Sequence, residues 1–124
     1  MLNSTHRPIY IATAPVDIRK SFDGLSAIVK NGFQKNPLDG TCFVFINRTA
    51  DRLKILYWDR DGYALWYKRL EAGRFRIPVA LTSTGEPVAL ISAAQLAMLL
   101  EGIEPIVVKK QKRFTLKNTE QNRS

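Results

Sequence analysis

The sequence predicts one α+β domain: an antiparallel β-meander with two helices packed on one face, followed by a flexible basic C-terminal tail. Three observations predict it. Apolar residues recur at helical spacing from Asp17 to Phe33, alternating runs joined by short turns fill Cys42 to Ile77, and a second helical stripe opens at Ser92. Strands that cluster, with the helices outside the cluster in the order β-α-β-β-β-β-α, favour an antiparallel sheet. A chain of 124 residues and 14.1 kDa is one domain, and at that size it buries roughly two-thirds of its unfolded surface. We place the domain at residues 1–108 and the tail at 109–124.

Each element has its own local reason. Ile9-Tyr10-Ile11-Ala12, set between Pro8 and Pro15, reads as a short strand. From Asp17 the period changes, and Ile18, Phe22, Leu25, Val29 and Phe33 form one stripe of an amphipathic helix. Asp17 can cap its start and Asn31-Gly32 can stop it. Gly24 in its middle costs ~1 kcal/mol against Ala, so a close approach is expected there. Lys35 to Thr41, with Pro37 and Asp39-Gly40, is a turn. Strand-like runs follow: Cys42 to Asn47, Arg52 to Trp58, Tyr63 to Leu70 and Arg74 to Ile77. Turns at Arg48–Asp51, Asp61-Gly62 and Glu71–Gly73 join them, Asp61-Gly62 being the strong hairpin signal, and Pro78 ends the series. Val88 to Ile91 is a candidate for one further short strand beyond that order. Ser92 with Gln95 three residues on is a capping-box pattern; Leu96, Leu99, Leu100 and Ile103 supply the second stripe, and Gly102 marks its end. Phe22, Leu25, Val29, Leu96 and Leu99 are the expected helical contributions to the core. The tail has too little apolar content to pack alone and is expected to be mobile.

Charge points to a polyanion. The chain carries 19 Lys+Arg against 11 Asp+Glu, a net +8 with a pI near 9.9. The tail contributes +5 of this through Lys109, Lys110, Lys112, Arg113, Lys117 and Arg123 against Glu120. Composition also excludes several classes. Cys42 alone forms no intrachain disulfide, and with the single His6 it builds no Cys/His zinc site. Met1 to Pro8 lacks the apolar core of a signal peptide, and the apolar run Pro87 to Leu100 is too short to span a bilayer. A cytoplasmic protein without membrane contact, metal or cofactor is expected. Asp59-Arg60-Asp61-Gly62 has the opening of a calcium loop, but Leu70 stands where the twelfth-position glutamate is required, and a hairpin turn accounts for it. The acids Asp17, Asp23, Asp59, Asp61, Glu71 and Glu101 lie mostly at caps and turns, not gathered around cations, and His6 stands alone. No catalytic residue is assigned, and no enzymatic activity is expected.

Arg52, Lys54, Leu56 and Trp58 alternate with Leu53, Ile55 and Tyr57; Ala64, Trp66, Lys68 and Leu70 alternate with Tyr63, Leu65, Tyr67 and Arg69. Faces that mix cations with flat rings suit nucleic acid, because cations neutralise phosphates while rings stack on bases. The same alternation also arises when aromatics sit in a core and charges form a solvated face. The DNA reading assigns Arg48, Arg52, Lys54, Lys68 and Arg74 to a binding surface. Lys109, Lys110, Lys112 and Arg113 of the tail then add non-specific affinity.

Val16-Asp17-Ile18-Arg19-Lys20-Ser21-Phe22-Asp23-Gly24-Leu25 resembles the opening signature of the accessory protein, called TnpB or Orf2, of bacterial insertion sequences of the "sixty-six" type. Phe43 to Phe75 resembles that family's central block, and Gln95 to Ile103 its closing helix, so the resemblance covers Ile9 to Ile103. It is not a resemblance to the RNA-guided nuclease that shares the name TnpB. Lys109 to Ser124 lies outside it, and Arg76-Ile77-Pro78 departs from the Trp-Pro often found after that Gly-Arg-Phe. The resemblance implies a small protein made beside a separate DDE-type transposase and other element-encoded protein, assisting movement of the element without a defined catalytic site. The expected function is that of a non-catalytic transposition accessory protein binding the element's DNA ends, the transposase, or both. An adaptor that touches only the transposase complex is the alternative.

Overall fold

The computed structural model describes residues 7–102. In chain order these form β1 (Ile9–Ala12), α1 (Phe22–Ala27), a π-helical turn (Ile28–Gly32), β2 (Cys42–Ile46), β3 (Arg52–Asp59), β4 (Gly62–Arg69), α2 (Val79–Thr82), β5 (Val88–Ile91) and α3 (Ala93–Leu100). The strands make one sheet in the order β4-β3-β2-β1-β5, which leaves β4 and β5 as its edges. The fold is α+β, with the expected meander present as β2-β3-β4.

Two features of the sheet differ from the expected one. It is mixed, because β1 runs parallel to β2 (Ile9 opposite Cys42) while every other pair is antiparallel. The α1 segment is a long enough crossover to return the chain in the same direction, which no tight hairpin could do. The helices also lie on opposite faces rather than on one. Leu25 and Val29 pack with Phe43, Phe45 and Leu56, whereas Leu96 and Leu99 pack with Val44, Ile46, Leu53 and Ile55. All five residues of β2 are buried as a result, since successive side chains feed two separate cores.

The helical stripe also begins later than its spacing implies. The Asp17 carboxylate accepts from the Arg19 backbone N–H and side chain, and Lys20 N–H bonds Asp17 C=O, so 17–20 closes as a turn. Asp17 therefore caps that turn, and α1 starts at Phe22, which is 42% exposed and outside the core that Leu25 and Val29 enter. Gly24 does mark a close approach: a Cβ there would stand 3.1 Å from the Lys20 Cβ. At the other end Phe33 N–H reaches the Ile28 carbonyl at 3.0 Å. That wider turn carries the Phe33 ring to 6.0 Å from Phe45 and 6.3 Å from Phe43.

Arg74 to Ile77 is not a strand. Phe75 is buried against the α3-side core and its N–H goes to Ala50 C=O at 2.7 Å, which pulls the segment across the sheet end instead of along β4. The β3-β4 hairpin has Arg60-Asp61 at its tip: Asp59 pairs with Gly62, Arg60 takes the left-handed φ of +60°, and Asp61 N–H bonds Asp59 C=O. Ser92 and Gln95 form the full reciprocal capping box of α3, and Gly102, at φ +78°, follows its end. The tail from 109, with Lys109, Lys110, Lys112 and Arg113, lies outside the described residues, as does Ile103.

Candidate nucleic-acid interface

The hairpin register decides which charges meet. Arg52 stands opposite Arg69 and Lys54 opposite Tyr67, so these four share the face that α1 covers further along at Leu56 and Leu65. Tyr67 is 48% exposed. Arg52 donates to its hydroxyl at 3.5 Å, and the Lys54 ammonium lies 5.1 Å from its ring centroid. Lys54 itself is only 9% exposed and donates to the Lys20 carbonyl at 2.9 Å, tying β3 to the turn before α1. Arg69 pairs with Glu71 at 2.9 Å.

Around the same end of the sheet, the β2-β3 turn carries Arg48, which is exposed. Asn47 organises that turn: its Oδ1 accepts the N–H groups of Asp51 and Arg52, and its Nδ2 donates to Asp51 Oδ1 at 2.8 Å. Thr49 Oγ1 also donates to Asp51 Oδ1 at 2.8 Å. The side-chain bonds from Asn47, then Thr49, hold the Asp51 carboxyl below its ordinary range. Arg48 and Arg19 line a cleft of about 440 Å³ between this turn and Pro15–Arg19. The bond from Phe75 N–H to Ala50 C=O brings the backbone next to Arg74 against the same turn.

Arg48, Arg52 and Arg74 thus gather at one sheet end, joined by Arg19, Lys20 and Arg69. Lys68 does not join them. It projects from the other face of β4, where its ammonium donates to the Leu100 carbonyl at 2.7 Å and caps the end of α3. The acids at the basic end are engaged locally: Asp17 by Arg19, Asp51 by Asn47 and Thr49, Glu71 by Arg69. Tyr67 is the residue that sequence reasoning left off the surface. Counting back from an Asp61-Gly62 turn sets Tyr67 opposite Leu56; the tip at Arg60-Asp61 shifts the register and brings it opposite Lys54.

Arg19 sets the charge state of Asp17. Its side-chain bonds are the main cause that lowers the Asp17 carboxyl from 3.8 to about 2. Because the folded value lies below the ordinary one, this contact favours the folded state fully above 3.8 and loses that effect as pH falls through about 2. In a carboxyl NMR titration Asp17 is expected to have its midpoint near 2, and Arg19→Ala to move it back toward 3.8. An unmoved midpoint would remove the pairing.

Among the described residues, no group of three or more His, Cys, Asp or Glu side chains could hold a metal ion. Burial raises the Cys42 thiol above its ordinary value. No helix among them is long and apolar enough to cross a membrane.

Fold and surface together define a small α+β protein whose mixed sheet ends in a cationic, tyrosine-bearing surface. The chain belongs to the IS66 Orf2-like family, which matches residues 7–110 and makes it an insertion-sequence accessory protein. That match includes Lys109 and Lys110, beyond the stretch that the motifs covered. The chain is 43% identical to the uncharacterised protein y4hO of Sinorhizobium fredii over 96 residues, 77% of this chain and 80% of that protein. It is 34% identical to the uncharacterised protein y4jC of the same organism over 103 residues, 83% of this chain and 85% of that protein. No solved structure matches it.

Proposed function

We propose that the protein is a non-catalytic, cytoplasmic accessory factor of transposition that binds DNA at the element ends and works beside a separate DDE-type transposase. One observation supports the DNA reading above all: Arg19, Lys20, Arg48, Arg52, Arg69 and Arg74 collect at one sheet end while the neighbouring carboxylates are engaged within their own turns. Arg19 and Arg69 hold Asp17 and Glu71, and phosphates are the counter-charge for Arg48, Arg52 and Arg74, which form no ion pair among the described residues. Arg48 and Arg52 are the principal phosphate contacts in this reading, with Arg74 beside them. Lys54 and Lys68 act chiefly through the backbone they hold, and Lys109, Lys110, Lys112 and Arg113 supplement affinity without sequence preference.

The test compares wild type, Arg48→Ala/Arg52→Ala and a chain ending at Val108 on element-end and unrelated duplexes across salt. Losing two phosphate contacts should flatten the slope of log affinity against log salt by about 1.8. Truncation at Val108 should weaken both duplexes alike. Wild type that binds no DNA even at low salt removes this reading. The adaptor reading then takes its place, supported by Leu90, which lies 61% exposed on the edge strand β5 and suits an apolar protein contact.

A further inference from the structure

We propose that Tyr67 is a stacking platform for an unpaired base, so that the basic end takes single-stranded DNA in preference to duplex. This rests on the DNA reading above and goes beyond it by naming the form of the nucleic acid.

Phe22 and Tyr67 are the large exposed rings among the described residues. Phe22 is followed by Asp23 at the start of α1, whereas Tyr67 has Arg69 two residues on along its strand face and Arg52 and Lys54 across the ladder. The ring is held in place before any ligand arrives. Lys54 sits 5.1 Å from its centroid and is itself fixed on the Lys20 carbonyl, while Arg52 holds the hydroxyl. A pre-positioned ring loses little freedom on binding.

Charge around the ring has the same direction. Arg52 and Arg69 stand directly opposite each other in the ladder, a like-charge pair that disfavours the free protein. Glu71 offsets Arg69, but Arg52 forms no ion pair among the described residues. A phosphate between the two guanidiniums relieves that repulsion, and the adjoining base then lies within reach of Tyr67. In a duplex the bases are stacked on one another and their faces are closed to a side chain on a sheet. An unpaired strand has them open. Because β4 is a sheet edge, such a strand can run past Tyr67 without crossing a neighbouring β-strand.

Fluorescence anisotropy on the full chain tests this, with a labelled oligothymidylate of roughly 15 nucleotides and a duplex of the same length. The variants are Tyr67→Ala, Tyr67→Phe and Tyr67→Trp, each checked for an unchanged unfolding midpoint. Wild type should bind the single strand more tightly. Tyr67→Ala should weaken single-strand binding about tenfold and leave the duplex within about twofold, while Tyr67→Phe and Tyr67→Trp retain single-strand affinity. If Tyr67→Ala lowers both affinities equally, or neither, the platform is wrong while the DNA reading stands. Should Tyr67→Ala fail to fold, Tyr67→Trp decides, and a loss of single-strand affinity in it overturns the proposal. Wild type that binds neither probe at low salt overturns both readings together.

Discussion

Phe45→Ala is expected to cost about 3–5 kcal/mol, the usual penalty for emptying a buried aromatic site. Phe45 is fully buried at the centre of the α1-side core, with the Phe33 ring 6.0 Å away and nearly parallel to it. Against a total stability of about 5–15 kcal/mol for a domain of this kind, that loss is a large fraction. A urea titration should show the midpoint falling with little change in slope. Phe22→Ala, by contrast, should stay within about 0.5 kcal/mol of wild type, because that ring is 42% exposed. The two-sided sheet makes a sharper demand. Val29→Ala and Leu99→Ala each remove buried methyls, but from clusters on opposite faces. Their costs should therefore add within about 0.5 kcal/mol, and strong coupling between them would contradict separate cores.

That two-sidedness was written in β2, although periodicity alone did not extract it. Cys42-Phe43-Val44-Phe45-Ile46 has no polar position at all, and a strand with one wet face alternates. An unbroken apolar run means both faces are covered, which requires one helix on each. The β3-β4 tip lies one residue before Asp61-Gly62, and α1 begins only at Phe22. The β2-β3-β4 meander, the capping box and the inner stripe residues Leu25, Val29, Leu96 and Leu99 were legible because each depends on residues close in sequence. The direction of β1 was not, because it depends on how the α1 crossover returns to the sheet. Asp17 shows a different failure. Its carboxylate suits a helix cap, but Arg19 two residues on competes for it and wins, so the turn closes before the helix begins.

The candidate surface was legible as composition and not as geometry. Arg48, Arg52 and Arg74 do collect at one end, because two turns and the Phe75 contact bring them there. Lys54 and Lys68 look like surface cations in sequence, yet each ammonium is committed to a backbone carbonyl. Strand parity already separated Lys68 from Arg52, since cross-strand neighbours share a face and Leu53 is the residue opposite Lys68. What sequence could not supply was the destination of each ammonium, which belongs to a turn or helix end more than thirty residues away.

Asn47→Ala is expected to cost about 2–3 kcal/mol and to weaken DNA binding together with stability. The side chain satisfies the N–H groups of Asp51 and Arg52 and donates to Asp51 and Thr49, so its removal strips the β2-β3 turn of its internal frame. The turn keeps the Thr49 bond to Asp51 and the backbone bonds of Ala50 N–H to Asn47 C=O and Phe75 N–H to Ala50 C=O, but Ala50 sits at a left-handed φ of +59°. Arg48 and Arg52 flank it, and their spacing loosens with it. Asn47→Asp separates this account from a generic packing loss. The new carboxylate still accepts the two backbone N–H groups, but it faces Asp51 where an amide N–H had donated. In wild type the Asp51 carboxyl is held below its ordinary range, chiefly by Asn47. Its contribution is therefore present at neutral pH and lost as pH falls through that lowered value. In Asn47→Asp the two carboxylates repel, which raises the folded-state value of the pair. Protonation relieves them, so this variant should gain stability as pH drops from 7 toward about 4, the range in which coupled carboxylates take up a proton. Urea midpoints across that range read both behaviours. A variant whose stability shows no rise on acidification would remove Asn47 as the organiser of the turn.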